Sequence, residues 1–212
     1  MIAGFSTNQI TMNKLSEQVL SMFGSCQPDE KLITDIILLL HIETGIESVG
    51  IRLKQGLDFP YYFTRGFTYD FVEKEMYLCS RDSAGELIRD SKGNPHLECM
   101  CGNVICGRTD PSLPFFTANG SFWTNSTTKL LASTTDKERQ TRTRNRCNGV
   151  GYESVALVPI KTNNVIYGLV QLNDRRRNLY TEKLIIFMEG IAVKIGSLFL
   201  LAQQERARRH HN

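Results

Sequence analysis

The chain has 212 residues, 41% hydrophobic and 22% charged, with a formal net charge of +3 and a mean hydropathy of −0.23. This length suits one domain with helical extensions, and the apolar content excludes a disordered chain. So mild a charge demands no nucleic-acid partner, and the unbroken apolar runs, such as 36–40 and 198–202, fall far short of the roughly 20 residues of a membrane span.

The first residues carry no basic segment followed by an apolar one, so no secretion signal is expected and the expected location is cytoplasmic. No internal repeat stands out. In a reducing compartment the six cysteines are core filler, ligands or reactive groups rather than structural disulfides.

Met12, Leu15, Val19 and Met22 recur at three–four spacing and predict a helix over 10–23. Residues 26–28, ending in Pro28, break it, and Asp29 is the expected cap of a second helix over 30–43. Leu32, Ile33, Ile36, Ile37, Leu39 and Leu40 cover more than one face of that helix, which predicts burial, and Gly45 takes the C-terminal cap. In 48–54, Val49, Ile51 and Leu53 alternate with Ser48, Gly50, Arg52 and Lys54, the period of a strand. The next forty residues are rich in turn signals, with a short helix or strand expected within 67–78.

The final third is plainer. A strand is expected over 152–160 and a second over 165–173, joined by an Asn163–Asn164 hairpin turn. In the second strand Val165, Tyr167, Leu169 and Gln171 are assigned one face, and Ile166, Val170 and Leu172 the other. Thr181 caps a long helix running to about 208, in which Leu184, Met188, Ile191, Ile195, Leu198 and Ala202 form a heptad stripe. That stripe suits packing on a sheet or on a second copy of the helix.

The order strand, Asn turn, strand, polar loop, capped helix, written in the residues 153–160 (ESVALVPI), 165–174 (VIYGLVQLND) and 180–184 (YTEKL), resembles the last hairpin and helix of a GAF domain. Residues 101–107 (CGNVICG) resemble the helix that precedes the ligand pocket in that fold, and the resemblance spans about 29–202. The segments 120–125 (GSFWTN), 144–148 (RNRCN) and 151–154 (GYES) are similar to GAF domains of prokaryotic sensor histidine kinases.

The resemblance implies an α+β fold. Its antiparallel sheet has five or six strands, with the terminal helices on one face and a loop-roofed pocket on the other. It divides the chain into a connector helix over 1–28, the GAF domain over 29–202 and a helical tail over 203–212. It also implies an input module that binds a small molecule or cofactor, dimerises through its terminal helices and serves a kinase domain of the same protein. As the chain carries no kinase motif of its own, it is expected not to be an enzyme.

In that layout the aromatic and polar loops place Tyr61, Phe116, Phe122, Trp123, Asn125 and Glu153 as candidate ligand contacts. Cys79, Cys99, Cys101 and Cys147 fall near the same pocket, whereas Cys26 and Cys106 read as filler. Four roles stay open for the group: a thiolate-bound metal, a haem, a redox site, or packing alone. The basic run from Lys137 to Arg146 leads into Cys147 and is expected to lower its pKa. His41 is expected to be a hydrogen-bonded core residue and His96 a solvated one.

An enzyme alternative is the free methionine-R-sulfoxide reductase, a GAF-fold enzyme that works by thiols. Cys101–Gly102 and Cys147 look similar to two of its cysteine positions. Its further cysteine lies about ten residues before the Cys–Gly pair, where this chain has 91–96 and no thiol. No cyclic-nucleotide signature and no bilin-type Cys–His pair is present. The basic clusters at 137–146, 175–177 and 206–209 accompany no nucleic-acid motif.

Overall fold

The structure, a computed structural model, describes residues 9–25, 30–139 and 143–210. Cys26, Asp29 and the 26–28 break lie outside the described residues, as does Arg142. The chain begins with α1 (Gln9–Ser25), α2 (Glu30–Thr44), β1 (Ser48–Leu53) and β2 (Tyr61–Arg65). Two short helices follow, α3 (Tyr69–Lys74) and α4 (Cys99–Ile105), then β3 (Phe122–Thr124), α5 (Thr127–Ser133) and α6 (Arg146–Gly149). The hairpin β4 (Ser154–Thr162) and β5 (Val165–Asp174) leads into α7 (Glu182–His210). The five strands form one antiparallel sheet in the order β2-β1-β5-β4-β3, which bears out the expected α+β architecture.

The helical stripes do what their spacing dictates. Leu15 and Val19 of α1, the apolar residues of α2 and Leu184, Met188, Ile191 and Ile195 of α7 meet in one core on one face of the sheet. Val49 and Ile51, Ala156, Val158 and Ile160, and Val170 and Leu172 complete it from β1, β4 and β5. The heptad stripe of α7 is therefore core packing against the sheet.

The helix is also more apolar than its unbroken runs suggested. Residues Glu182–Ala202 reach a mean hydropathy of 2.1, long and apolar enough by composition to cross a membrane, but the face carrying Ile185, Met188, Ala192 and Ile195 is buried against the strands. The opposite side leaves Ile186, Val193 and Leu201 exposed.

Local chemistry sets the element ends. Gly45 adopts φ 62 and its N–H returns to the His41 carbonyl, while His41 Nδ1 lies 2.8 Å from the Ile46 carbonyl, as its core role predicts. Asn163 and Asn164 both take positive φ, the geometry of a two-residue hairpin turn. Thr181 accepts the Leu184 N–H at 3.3 Å and starts α7.

One face assignment in β5 is corrected. The register shifts between Ile160 and Lys161, so that Ile166 faces with Leu169, Gln171 and Asn173, and Tyr167 faces with Val170 and Leu172. Gly168 sits at this step, where a Cβ would meet the Arg52 carbonyl at 2.1 Å. On the polar side of β1, Ser48 and Arg52 are wholly buried beneath the second layer.

That second layer is built from loops and short helices, with Phe71, Met100, Val104, Phe115, Phe116 and Leu157 in its core. Between α3 and α4 runs an arm that contains a repeat after all. Arg81-Asp82-Ser83-Ala84-Gly85 and Arg89-Asp90-Ser91-Lys92-Gly93 are spaced eight apart and fold alike. Each Asp side chain accepts two backbone N–H groups across its turn, and each Arg donates to the turn glycine carbonyl. Three residues at that same spacing close a ring of backbone bonds: Ile88 N–H to Ser80, His96 N–H to Ile88 and Ser80 N–H to His96. The ring holds His96, expected to be solvated, with Nδ1 3.0 Å from the Ser80 hydroxyl.

Candidate functional site

The second layer roofs a pocket enclosing about 60 Å³ of solvent-accessible space. Cys99, Met100 and Cys101 come from α4, Phe122 from β3, Thr127 and Leu130 from α5, Cys147 and Asn148 from α6, and Val155 and Leu157 from β4. Leu131 of α5, Arg146 of α6, and Arg139, Thr143 and Asn145 complete it. The walls are mainly apolar, with a few converging polar groups, which is the makeup of a small-molecule site. No histidine is in the lining, and among the described residues no group of three metal-ligating side chains could hold an ion.

Of the ten sequence candidates, four line this pocket: Cys99, Cys101, Cys147 and Phe122. Tyr61 and Phe116 lie in the surrounding apolar cluster. Trp123 instead packs toward the helix-side core, because successive side chains of a strand point to opposite faces. Asn125 spans the Tyr180 backbone, donating to its carbonyl and accepting its N–H, both at 2.8 Å, and so fastens β3 to the start of α7. Glu153 is engaged by Ser126, Thr128 and Arg177 at 2.6–3.2 Å and clamps α5 to the loop after β5. Cys79 is held apart from the pocket, its thiol donating to the Leu57 carbonyl at 3.4 Å. Cys106, expected as filler, is exposed.

The sequence reading missed the residue that organises the thiols. Gln171 projects from β5 beneath the pocket and is completely buried. Its Oε1 accepts the Tyr61 hydroxyl at 2.8 Å and the Cys101 thiol at 3.9 Å. Its Nε2 donates to Asn173 Oδ1 at 3.1 Å and to Cys147 Sγ at 3.9 Å, and Asn173 Nδ2 donates to the same sulfur at 3.4 Å. Cys101 is thus a donor and Cys147 an acceptor on either side of one amide.

Under Tyr61 lies Arg52, its guanidinium 3.6 Å from the ring centre. It donates to the carbonyls of Phe59, Glu75 and Met76 at 2.5–3.0 Å. The available signal was a polar residue at every second position of a strand whose other residues are apolar: Arg52 in β1, Gln171 and Asn173 in β5.

The expected activation of Cys147 is overturned. Burial pushes its thiol up to about 12, with Cys99 and Glu75 acting in the same direction, and the Asn173 amide offsets only part of this. Burial raises Cys99 as well and raises Cys101 well above the ordinary thiol value. The arginines of the basic run have other partners: Arg146 pairs with Glu75 at 3.0 Å, and Arg144 lies 3.3 Å from Glu98. At neutral pH the three thiols are protonated, the less nucleophilic form.

The backbone around them is tight. Cys99 adopts φ 63, a left-handed conformation uncommon for a residue with a side chain. At Gly102, a Cβ would meet the Leu97 carbonyl at 2.4 Å, so only glycine lets α4 approach this closely.

No protein-family model and no curated protein matches the sequence. Solved structures do match its fold. The GAF domain of a phosphoenolpyruvate-protein phosphotransferase from Coxiella burnetii is 12% identical with a TM-score of 0.63, covering 94% of this chain and 99% of that one. A free methionine-R-sulfoxide reductase from Neisseria meningitidis, solved with its substrate, is 12% identical with a TM-score of 0.61, covering 95% and 96%. A domain assigned to a two-component sensor histidine kinase protein from Sinorhizobium meliloti is 12% identical with a TM-score of 0.52, covering 85% and 97%.

The fold is therefore that of GAF domains. The expectation that the chain is not an enzyme is corrected by the same finding, because sulfoxide reductases are among the structures that share its fold over nearly the whole chain.

Proposed function

We propose that this chain is a sensory GAF domain that takes a small molecule into the pocket of Cys99, Cys101 and Cys147. In this reading it is the cytoplasmic input module of a two-component histidine kinase. Occupancy alters the roof, and the change passes to α7 and to a second copy through the terminal helices. The observation that carries the reading is the pocket itself: an apolar chamber with one buried amide, Gln171, touching two of its thiols. The fold neighbours from GAF and sensor-kinase proteins support it.

The test uses the small-molecule fraction of a cell extract, equilibrated with the purified chain and analysed by mass spectrometry after re-isolation. A retained compound that is lost in Leu157→Trp, which fills the pocket, supports the reading. Retention of the same compounds by both proteins removes it.

The Gln171 bridge also favours a second reading, thiol-dependent reduction of free methionine-R-sulfoxide. One thiol, as thiolate, would attack the sulfoxide sulfur. A second would displace the thioether and form a disulfide, the oxygen leaving as water, so that two thiols are oxidised for each sulfoxide reduced. Turnover coupled to a thiol reductant, falling at least about a hundredfold in Cys147→Ser and in Cys101→Ser, is the expected outcome. Equal product formation in the wild type and both variants excludes it.

A further inference from the structure

We infer that the occupant of the thiol pocket is a small monoanion, an apolar molecule ending in a carboxylate, received by Arg139. This inference rests on the reading of the pocket as a small-molecule site and names the class of molecule.

Arg139 lines the pocket, and its side chain is 7% exposed. Its two terminal nitrogens are occupied, Nη1 by the Thr134 carbonyl and hydroxyl at 2.6 and 2.7 Å, and Nη2 by Asp136 at 2.6 Å. Its Nε–H is buried and has no hydrogen-bond partner among the described residues. A buried N–H left unpaired is costly, and a ligand oxygen would satisfy it.

The charge of Arg139 is also incompletely answered from inside. Asp136, its one ion-pair partner among the described residues, is 59% exposed, so water screens that pairing. A carboxylate within the pocket would meet the guanidinium where water is excluded, and charge-assisted hydrogen bonds are strongest there. Arg146, a second lining residue, adds positive charge, although its Nε is shared with Glu75. No acidic side chain lines the pocket to repel an anion. Met100, Phe122, Val155 and Leu157, also in the lining, offer no hydrogen-bonding group to a ligand's body, which is why the body is apolar. Cys101 and Cys147 line the same pocket as Arg139.

The experiment measures binding of hexanoate and of hexanamide, its uncharged isostere, by titration calorimetry on the intact chain. In parallel, alkylation of Cys147 is followed by peptide mass spectrometry to place the bound molecule. Hexanoate should bind at least about tenfold more tightly than hexanamide, lose that margin in high salt, and slow Cys147 alkylation. Arg139→Gln should erase the margin, and Arg139→Lys should retain part of it. Equal binding of acid and amide overturns the inference and leaves the pocket as a neutral-molecule site. Failure of both probes to bind at about 10 mM overturns the inference together with the small-molecule reading for ligands of this size. The comparison of acid with amide is made on the wild-type chain, so it holds even if the variants fold poorly.

Discussion

The two faces of the sheet are built on different principles. The helix side is a largely aliphatic layer from α1, α2, α7 and three strands, its helical stripes at their regular period. The pocket side is assembled from three- to seven-residue elements and loops, and it buries Arg52, Glu75, Asn103, Arg139 and Gln171 among its aromatics. Regular packing gives stability from area alone, whereas the irregular layer depends on each polar group finding its particular partner. The difference separates a scaffold from a site.

Four substitutions would break or sharpen that contrast. The largest loss is expected for Arg52→Met, which strips the donor from three buried carbonyls at once and should cost about 3–5 kcal/mol in denaturant unfolding. A loss under about 1 kcal/mol would show the polar layer to be as forgiving as an apolar one. On the helix side, Met188→Ala should cost about 3 kcal/mol through a cavity, while binding of any pocket ligand stays unchanged. Altered pocket affinity in that variant would show that the two faces are not separable.

Glu189 tests the seam between them. Its buried carboxylate accepts Thr117, Asn119 and Ser121 at 2.6–2.7 Å and so ties the roof loop to α7 around the edge of the sheet. Glu189→Gln should cost about 1–2 kcal/mol, and it should quicken alkylation of Cys147 more than Met188→Ala does. Equal labelling in the two variants would leave the loop without a role in closing the pocket.

The smallest effect belongs to Glu153. Burial pushes its carboxyl up, but Arg177, Thr128 and Ser126 outweigh this and hold it at about 2. Because the folded value is depressed below the usual 4.5, the contribution is complete above that pH and fades as the pH falls toward about 2. The melting temperature of Glu153→Gln should therefore converge on that of the wild type across that range. Parallel curves would show that the clamp carries no charge-dependent stability.

The same contrast explains what the sequence disclosed. A helix is announced by a dozen residues at one period, so α2, α7 and the β4–β5 hairpin were legible, down to the two asparagines of the turn. β2 and β3 were not, since five and three residues between loops carry too little pattern. Trp123 neighbours the pocket residue Phe122 but faces away, because one step along a strand turns a side chain to the other face, and Asn125, past the end of β3, is taken up by the Tyr180 backbone. Of the four cysteines that the sequence groups, Cys99, Cys101 and Cys147 line one pocket and Cys79 does not. Their chemistry was not legible, since a run of arginines in sequence says nothing of which carboxylates, Glu75 and Glu98, take up their charge. Gln171 and Arg139 were hidden for a related reason: an amide or guanidinium gains meaning only from the neighbours that folding supplies.

The closed ring of Ser80, Ile88 and His96 has a counting property. Two Arg-Asp-Ser turns bring the third residue back to the first, and the last free N–H and carbonyl of the cycle are used in doing so. Eight-residue units can usually be duplicated at will in an exposed arm. Here a third unit would have no vacancy to join, so the arm's length is set by arithmetic rather than by contact with anything beyond it.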